Sequence, residues 1–165
     1  MKEELELQLE QDFPFMKRNK SEDEQNIYKR WGCECSDGWY QLIHDLCQGI
    51  TNRYAEYRVP LDIVIEQIKE KFSSLRFYYS FEGSPCPIQA LDFLGDETSI
   101  RFQPDNKNDY EALKELRRDI AQIVRNYEEK SKTICEVCGE EGRIRMGMPW
   151  YRTLCNKCYG FYLNN

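Results

Sequence analysis

Apolar residues recur every three or four positions in three segments of the chain, the spacing of an amphipathic helix. The segments are 37–57, 61–72 and 109–132. Their apolar positions are Trp39, Leu42, Ile43, Leu46, Ile50 and Tyr54; Leu61, Val64, Ile65, Ile68 and Phe72; and Leu113, Leu116, Ile120, Ile123, Val124 and Tyr127. Ser36 or Asp37 can cap the first helix, while Pro60 precedes the second and Ser73–Ser74 ends it. The pattern predicts three helices, each with one buried face.

A different period follows the second predicted helix. Leu75, Phe77, Tyr79 and Phe81 alternate with less apolar residues, which is typical of a half-buried strand. The segment Ser99–Gln103 alternates in the same way and is its expected antiparallel partner. Together these patterns predict an α+β fold in which helices pack on a small antiparallel sheet.

Two segments are less regular. Glu3–Gln11 alternates like a strand, but its Glu, Gln and Leu content favours a helix, and a charged loop is expected over Lys17–Gln25. Residues 83–97 form an insert with two prolines and four large apolar residues, namely Ile88, Leu91, Phe93 and Leu94. We expect the insert to fold back on the core as a helical turn, with a partner-binding loop as the alternative.

Four cysteines near the C-terminus have the spacing of a metal site. Cys135, Cys138, Cys155 and Cys158 form two C-x-x-C pairs separated by 16 residues, and Gly139 and Gly160 follow the two pairs. Such spacing predicts one structural Zn²⁺ held by four thiolates, with a hairpin between the two knuckles. A site with four protein ligands has no open position for a reacting water molecule.

Two other uses of the paired cysteines are weaker. A redox dithiol normally lies at a helix N-terminus in a thioredoxin-like unit, and no such pattern surrounds these pairs. Disulfides need an oxidising compartment, whereas the chain begins with charged residues instead of an apolar secretion signal. Zinc is therefore the preferred interpretation.

A second metal site is an alternative use of Cys33, Cys35, His44 and Cys47. Their chemistry suits zinc, but C-x-C-x8-H-x2-C is not a standard ligand spacing, and thiols are common in buried cores. His44 is the only histidine, so a Cys-His enzyme would have to use it, with Cys35 as the nucleophile. No phosphate-binding loop, nucleophile elbow or metalloprotease motif occurs, and we rank an enzyme third among the functions.

Composition and charge narrow the class of partner. The chain has 165 residues, 41% of them hydrophobic, and a net charge of −6. No apolar stretch is long enough to cross a bilayer, so the expected location is the cytosol. Residues 113–165 hold ten basic and seven acidic side chains, a weak basic patch compared with that of a typical nucleic-acid binder.

The segment between the two cysteine pairs mixes arginines with large apolar residues. It contains Arg143, Arg145 and Arg152 together with Met146, Met148, Trp150 and Tyr151. Such residues can bind nucleic acid or a protein partner. The structural alternative is that Ile144, Met146 and Tyr151 pack on the long helix while the arginines remain solvated.

Three short motifs occur in order along the chain. They are Trp31-Gly32-x-x-Cys35-x-Asp37-Gly38-Trp39, then Lys69-x-Lys71-Phe72-x-x-Leu75-Arg76-Phe77-Tyr78, then the terminal Cys-x-x-Cys-Gly. In this order they resemble a group of small uncharacterised proteins of bacteria and phages. The resemblance implies a bacterial or phage-infected cytosol and no particular activity. Some members of the group have His where this chain has Cys158. We expect both tryptophans of the first motif to be structural.

These observations lead to one preferred interpretation. An α+β domain at residues 1–132, with its insert at about 83–97, is followed by a docked zinc ribbon at residues 133–165. The chain is expected to be a non-enzymatic, phage- or prophage-type module that binds a protein, such as a host factor or a defence component, in preference to nucleic acid. Its expected contact residues are the four apolar insert residues with Arg143, Arg145, Trp150 and Arg152. The alternative is a nucleic-acid-binding ribbon that uses its arginines and Lys157.

Overall fold

The computed structural model describes residues 1–18, 26–83, 90–92, 99–101, 110–146 and 148–164, with the backbone alone described at 90–92 and 99–101. The helices are α1 (Glu3–Asp12), α2 (Ile27–Trp31), α3 (Tyr40–Tyr57), α4 (Glu111–Ser131) and α5 (Asn156–Leu163). The strands are β1 (Cys33–Glu34), β2 (Ile63–Lys71), β3 (Ser74–Phe81), β4 (Ala90–Asp92), β5 (Ser99–Arg101), β6 (Arg143–Arg145) and β7 (Arg152–Leu154). Within these residues no helix is both long enough and apolar enough to span a membrane.

The core lies between a small sheet and the two long helices, which confirms the α+β class. The sheet has the order β1-β2-β3, with β1 parallel and β3 antiparallel to β2, so it is mixed and not purely antiparallel. Helices α3 and α4 pack against each other, and α4 contacts β3. Trp39 is fully buried in this core with residues from all of these elements.

The long amphipathic helices were correctly predicted. Helix α3 buries the predicted face from Leu42 to Tyr54, after a short 3-10 turn at Asp37–Trp39, and α4 buries Leu116, Ile120 and Val124. The segment Glu3–Gln11 is also helical, as its composition favoured. The predicted cap is wrong, because no Ser36 side-chain cap bond forms and the Asp37 carboxylate instead accepts from Lys2 N at 2.8 Å.

The second predicted helix is wrong. Residues 63–71 form strand β2, in which Ile63, Ile65 and Ile68 are buried. The register with β3 shifts between Ile65 and Gln67, so the inward positions change from a spacing of two to a spacing of three. A β-bulge of this kind makes a strand imitate the helical period. The β-branched residues of the segment favour the strand.

A tight hairpin replaces the predicted helix end. Phe72 and Ser73 have φ values of 51° and 62°, the conformation of both central residues in a type I′ turn, and Lys71 pairs with Ser74 across it. Strand β3 was correctly predicted, but its partner is β2. The expected partner segment contributes β5, which pairs with β4.

Only part of the insert lies within the described residues. Leu91 belongs to strand β4, so the expected helical turn does not form at 90–92. Ile88, Phe93, Leu94 and the two prolines lie outside the described residues, as do Cys86 and most of the loop expected at Lys17–Gln25.

Candidate metal centre

The four predicted cysteine ligands converge at one point. The Sγ atoms of Cys135, Cys138, Cys155 and Cys158 all lie within 4.8 Å of one another, and Cys138 Sγ is 3.7 Å from Cys155 Sγ. A tetrahedron with zinc–sulfur bonds of about 2.3 Å has sulfur–sulfur edges of about 3.8 Å. The separation is far longer than a disulfide bond. The geometry is that of four free thiols around a site for one metal ion.

Backbone hydrogen bonds shape both knuckles. In the first, Gly139 has a φ of +81° and donates its N–H to Cys135 O at 2.8 Å, while Cys135 N donates to Glu140 O at 2.7 Å. In the second, Cys155 precedes α5, and its sulfur accepts from Cys158 N at 3.3 Å. That amide, with hydrogen bonds from the neighbouring thiols, lowers the pKa of the Cys155 thiol to about 7, whereas burial raises the pKa of the Cys138 and Cys158 thiols.

The ribbon is hydrogen-bonded to residues of the predicted main domain at three points, two in the first knuckle and one on β7. Trp39 Nε1 donates to Ile134 O at 2.9 Å, and Gly38 N donates to Glu136 O at 2.9 Å. Glu136 N in turn donates to Thr153 O, and the Thr153 hydroxyl donates to Ser73 O in the β2–β3 turn at 2.7 Å. The division of the chain into two domains stays a prediction.

Gly38 is required by the close approach of the knuckle. A Cβ atom at this position would lie 2.7 Å from Cys138 N and 2.6 Å from Gly139 N, and it would also clash with Cys135 O. Real Cβ atoms do not approach backbone atoms so closely, so any larger residue would displace the knuckle. The motif around Gly38 could have drawn attention to this residue, but its contact is non-local and sequence reasoning missed it.

Two of the three ribbon arginines, which were expected to contact a partner or, in the structural alternative, to remain solvated, are held inside the ribbon. Arg145 is buried, with its Nε donating to Leu154 O at 3.0 Å and its Nη2 to Asn156 Oδ1 at 2.7 Å. Arg152 is half-buried and forms an ion pair with the buried carboxylate of Glu136. The two guanidinium groups stack on Tyr159 and Tyr162 of α5, each at 4.6 Å from the ring centroid. Only Arg143 of the three is exposed.

The apolar side chains of the ribbon are also placed differently from the expectation. In the structural alternative Ile144, Met146 and Tyr151 pack on the long helix, but they are exposed, as is Trp150 with 82% of its surface accessible. Phe161 and Leu163 on α5 are exposed as well. The ribbon thus buries its guanidinium groups and presents apolar side chains to solvent.

The alternative ligand group is not assembled. Among the described residues, the four C-terminal cysteines are the only group of thiol, imidazole and carboxylate side chains close enough to hold a metal ion. Cys33 and Cys47 are buried in the core, where burial raises the pKa of both thiols, and burial raises that of Cys35 to about 12. His44 packs against Phe13, with Nε2 3.6 Å from an Asp12 carboxylate oxygen.

The two tryptophans of the first motif have different environments. Trp39 is fully buried, as expected, whereas Trp31 is 62% exposed and lies beneath the guanidinium of Arg30. The expectation that Trp31 is structural is therefore wrong. Gly32 carries the structural role instead, because it has a φ of +69° and its Cβ would lie 2.6 Å from the buried carboxylate of Glu6.

Comparisons with known proteins give no relative for the chain. No protein-family model matches it, and neither a curated protein nor a solved structure is significantly similar to it. The fold and the four-cysteine site therefore define the class, which is an α+β protein with a zinc-ribbon-like metal centre.

Proposed function

We propose that the chain is a zinc-ribbon module whose exposed apolar ribbon side chains bind a protein partner. Zinc is the metal in this proposal because a site of four cysteine sulfurs, all within 4.8 Å of one another, suits it best. A closed site of this kind stabilises the fold and takes no part in chemistry. The proposed role of the module is binding without catalysis.

The exposure of the ribbon's large apolar residues carries the proposal. We call Met146, Trp150, Tyr151, Phe161 and Leu163 the ribbon apolar residues. Trp150 and Phe161 are 82% and 67% exposed, so most of the apolar surface of both side chains is accessible to a partner. Phe161 and Tyr162 lie in ring contact on α5, and tryptophan and tyrosine are the residues that most often dominate the binding energy of protein interfaces.

The arrangement of cations favours protein over nucleic acid as the partner. Arg152 is neutralised by Glu136, and Arg145 is engaged by a carbonyl and an amide inside the ribbon. Arg143 and Lys157 are the exposed cations that remain between residues 142 and 164 of the described chain. Tight binding to a nucleic acid in physiological salt rests on several such phosphate contacts, and the net charge of −6 opposes it.

The biological setting in the proposal comes from the sequence motifs. A bacterial or phage-infected cytosol is their implied location, and a host factor or a defence component is the corresponding kind of partner. The insert residues Ile88, Leu91, Phe93 and Leu94 stay a predicted second contact.

The test is the capture of partner proteins from nuclease-treated extract of the native cells. The metal-loaded protein is the bait, and it is compared with the double variant Trp150→Ala/Phe161→Ala. Trp31→Ala is a matched control, because Trp31 is a similarly exposed tryptophan outside the ribbon. We expect the double variant to capture at least tenfold less partner than the wild type, since aromatic anchors each contribute about 2 kcal/mol or more. The control should capture as much partner as the wild type.

Metal content and circular dichroism should be the same for all three proteins. Capture that survives in the double variant would contradict the use of the ribbon apolar residues. Capture that occurs from untreated extract but is lost from nuclease-treated extract would instead favour the nucleic-acid alternative.

A further inference from the structure

A small polar pocket lies next to the metal centre. It has a volume of about 340 Å³ and is lined by Glu141, Gly142, Arg143, Arg145 and Asn156. The pocket is therefore formed by β6, the residues before it and the first residue of α5. It can accommodate a single carboxylate side chain, and more of its lining is polar than apolar.

Arg145 is a buried cation whose partners are neutral. Only 6% of the residue is exposed, and its partners are the Leu154 carbonyl, the Asn156 amide oxygen and the Tyr159 ring. No carboxylate or thiolate within the described parts of the chain accepts a hydrogen bond from it, and its Nη1 is without a hydrogen-bond partner there. The unused donor is open to solvent, since it is not among the buried atoms of the described residues that lack a hydrogen-bond partner, and it can therefore donate to an anion that enters the pocket.

Arg143 lies beside Arg145 in the same pocket. These residues are two apart on β6, so their side chains leave the strand on the same face. Arg143 is exposed and forms no ion pair among the residues that the structure describes. Two guanidinium groups next to an amide are well suited to a carboxylate, which arginine binds with paired N–H donors.

We infer that this pocket binds an aspartate or glutamate side chain of the partner protein, so that the partner contributes an acidic segment with apolar anchors. The inference rests on the proposed function and adds the charge of the partner. The pocket lining holds two guanidinium groups and the single carboxylate of Glu141, so the pocket itself carries a net positive charge in a chain of net charge −6. Two arginines are enough for one carboxylate, but they are few for a phosphate backbone.

The experiment begins with a displayed library of short random peptides, selected on the metal-loaded protein in physiological salt. Peptides that also bind Trp150→Ala/Phe161→Ala are discarded, which leaves those that need the ribbon apolar residues. We expect the remaining peptides to carry net negative charge together with aromatic or leucine residues. Replacing the acidic residues of a selected peptide by Asn or Gln should weaken its binding about tenfold or more.

Two pairs of protein variants test whether the carboxylate of a selected peptide binds in this pocket. Arg143→Gln should weaken a selected peptide about tenfold, whereas Lys157→Gln, which removes an exposed charge outside the pocket lining, should change binding by less than about threefold. Glu141→Gln should tighten binding because it removes a competing carboxylate from the pocket. Glu140→Gln is its control, since the neighbouring Glu140 is exposed but does not line the pocket.

The outcomes separate this inference from the proposed function. If the ribbon-dependent peptides are neutral or basic, the inference of an acidic partner segment is contradicted, while the proposed protein-binding function is retained. A complete lack of ribbon-dependent peptides would overturn both. Binding of single-stranded DNA at micromolar affinity in the same salt, weakened by Arg143→Gln, would overturn the inference in favour of a nucleic acid.

Discussion

The carboxylate of Glu128 accepts a hydrogen bond from the backbone N–H of Phe77 at 2.8 Å, so a side chain of α4 closes the free edge of strand β3. Ser131 Oγ accepts from Leu75 N in the same way at 2.8 Å. Strand β3 is the outer strand of its sheet, and an open edge pairs readily with other chains. Helix α4 therefore both covers the core and satisfies the sheet edge.

Glu128→Ala should destabilise the protein and promote association. It leaves the Phe77 N–H buried without an acceptor, which costs about 1–3 kcal/mol in the free energy of unfolding. Urea unfolding and light scattering are the measurements. Glu129→Ala on the exposed side of the same helix is the control and should change stability by less than about 0.5 kcal/mol. Equal stability of the two variants would show that the edge bond contributes nothing.

Metal removal should unfold the ribbon. Elemental analysis is expected to find close to one zinc per chain, and Cys138→Ser should release it, because zinc binding supplies roughly 10 kcal/mol or more to such folds. Cys47→Ala is the control, since its buried thiol lies outside the four-cysteine group, and it should retain the metal. A metal-free protein whose C-terminal region still resists proteolysis would contradict this role. A second equivalent of zinc that is bound by the wild type and lost from Cys47→Ala would restore the hypothesis of a second metal site.

Gly38→Ala should weaken zinc binding although residue 38 is not a ligand. The added Cβ displaces the backbone of the first knuckle, and we expect at least tenfold faster metal transfer to a chelator. Gly160→Ala tests the specificity of this effect, because a Cβ at Gly160 meets no atom within 4 Å. It should transfer metal at the wild-type rate. Unchanged transfer in Gly38→Ala would mean that the knuckle does not depend on the main domain.

Asp62→Asn should reduce the free energy of unfolding at neutral pH. The variant should also lose less of this free energy than the wild type when the pH is lowered. Burial alone would raise the pKa of Asp62, but hydrogen bonds from Arg117 and Tyr54 and the guanidinium charge lower it below its ordinary value. A carboxyl whose pKa is lowered on folding stabilises the native state above its unfolded pKa of about 4, and this contribution is lost as the pH falls through the native pKa.

The measurement for Asp62 is urea unfolding as a function of pH. The wild type should lose more stability than Asp62→Asn between about pH 5 and pH 2. Asp45→Asn on α3 is the control for a change in net charge, because Asp45 takes no part in the contacts of Asp62 with Arg117 and Tyr54. Parallel curves for the wild type and Asp62→Asn would show that the carboxylate does not contribute in this way.

The two tryptophans of the first motif provide a matched pair. Trp39→Ala should lower the free energy of unfolding by about 3–5 kcal/mol, because it leaves a cavity in the core and frees the Ile134 carbonyl from its hydrogen bond. Trp31→Ala should change it by less than about 0.5 kcal/mol. Thermal unfolding of both variants distinguishes them, and similar melting temperatures would contradict the buried position of Trp39.

Local sequence by itself determined the features that depend on a regular spacing within one element. Helices α3 and α4 are long enough for a 3.6-residue period to be unmistakable, and Leu75, Phe77, Tyr79 and Phe81 give the sequence of strand β3 a period of two, although both faces of the strand are buried. The cysteine pairs were equally predictable, because each knuckle is set by two residues between its ligands. The α+β class follows from these elements.

Tertiary structure decided the features that depend on non-local contacts. The bulge between Ile65 and Gln67 mixes spacings of two and three, so only pairing with β3 distinguishes strand β2 from a helix. Gly38 is fixed by a knuckle about a hundred residues further along the chain. Arg145 and Arg152 are drawn inward because Glu136, Asn156 and the tyrosines of α5 meet them there, and the apolar neighbours are consequently left at the surface. A periodic hydrophobic pattern carries no information about these contacts, because they depend on how distant segments of the chain pack together.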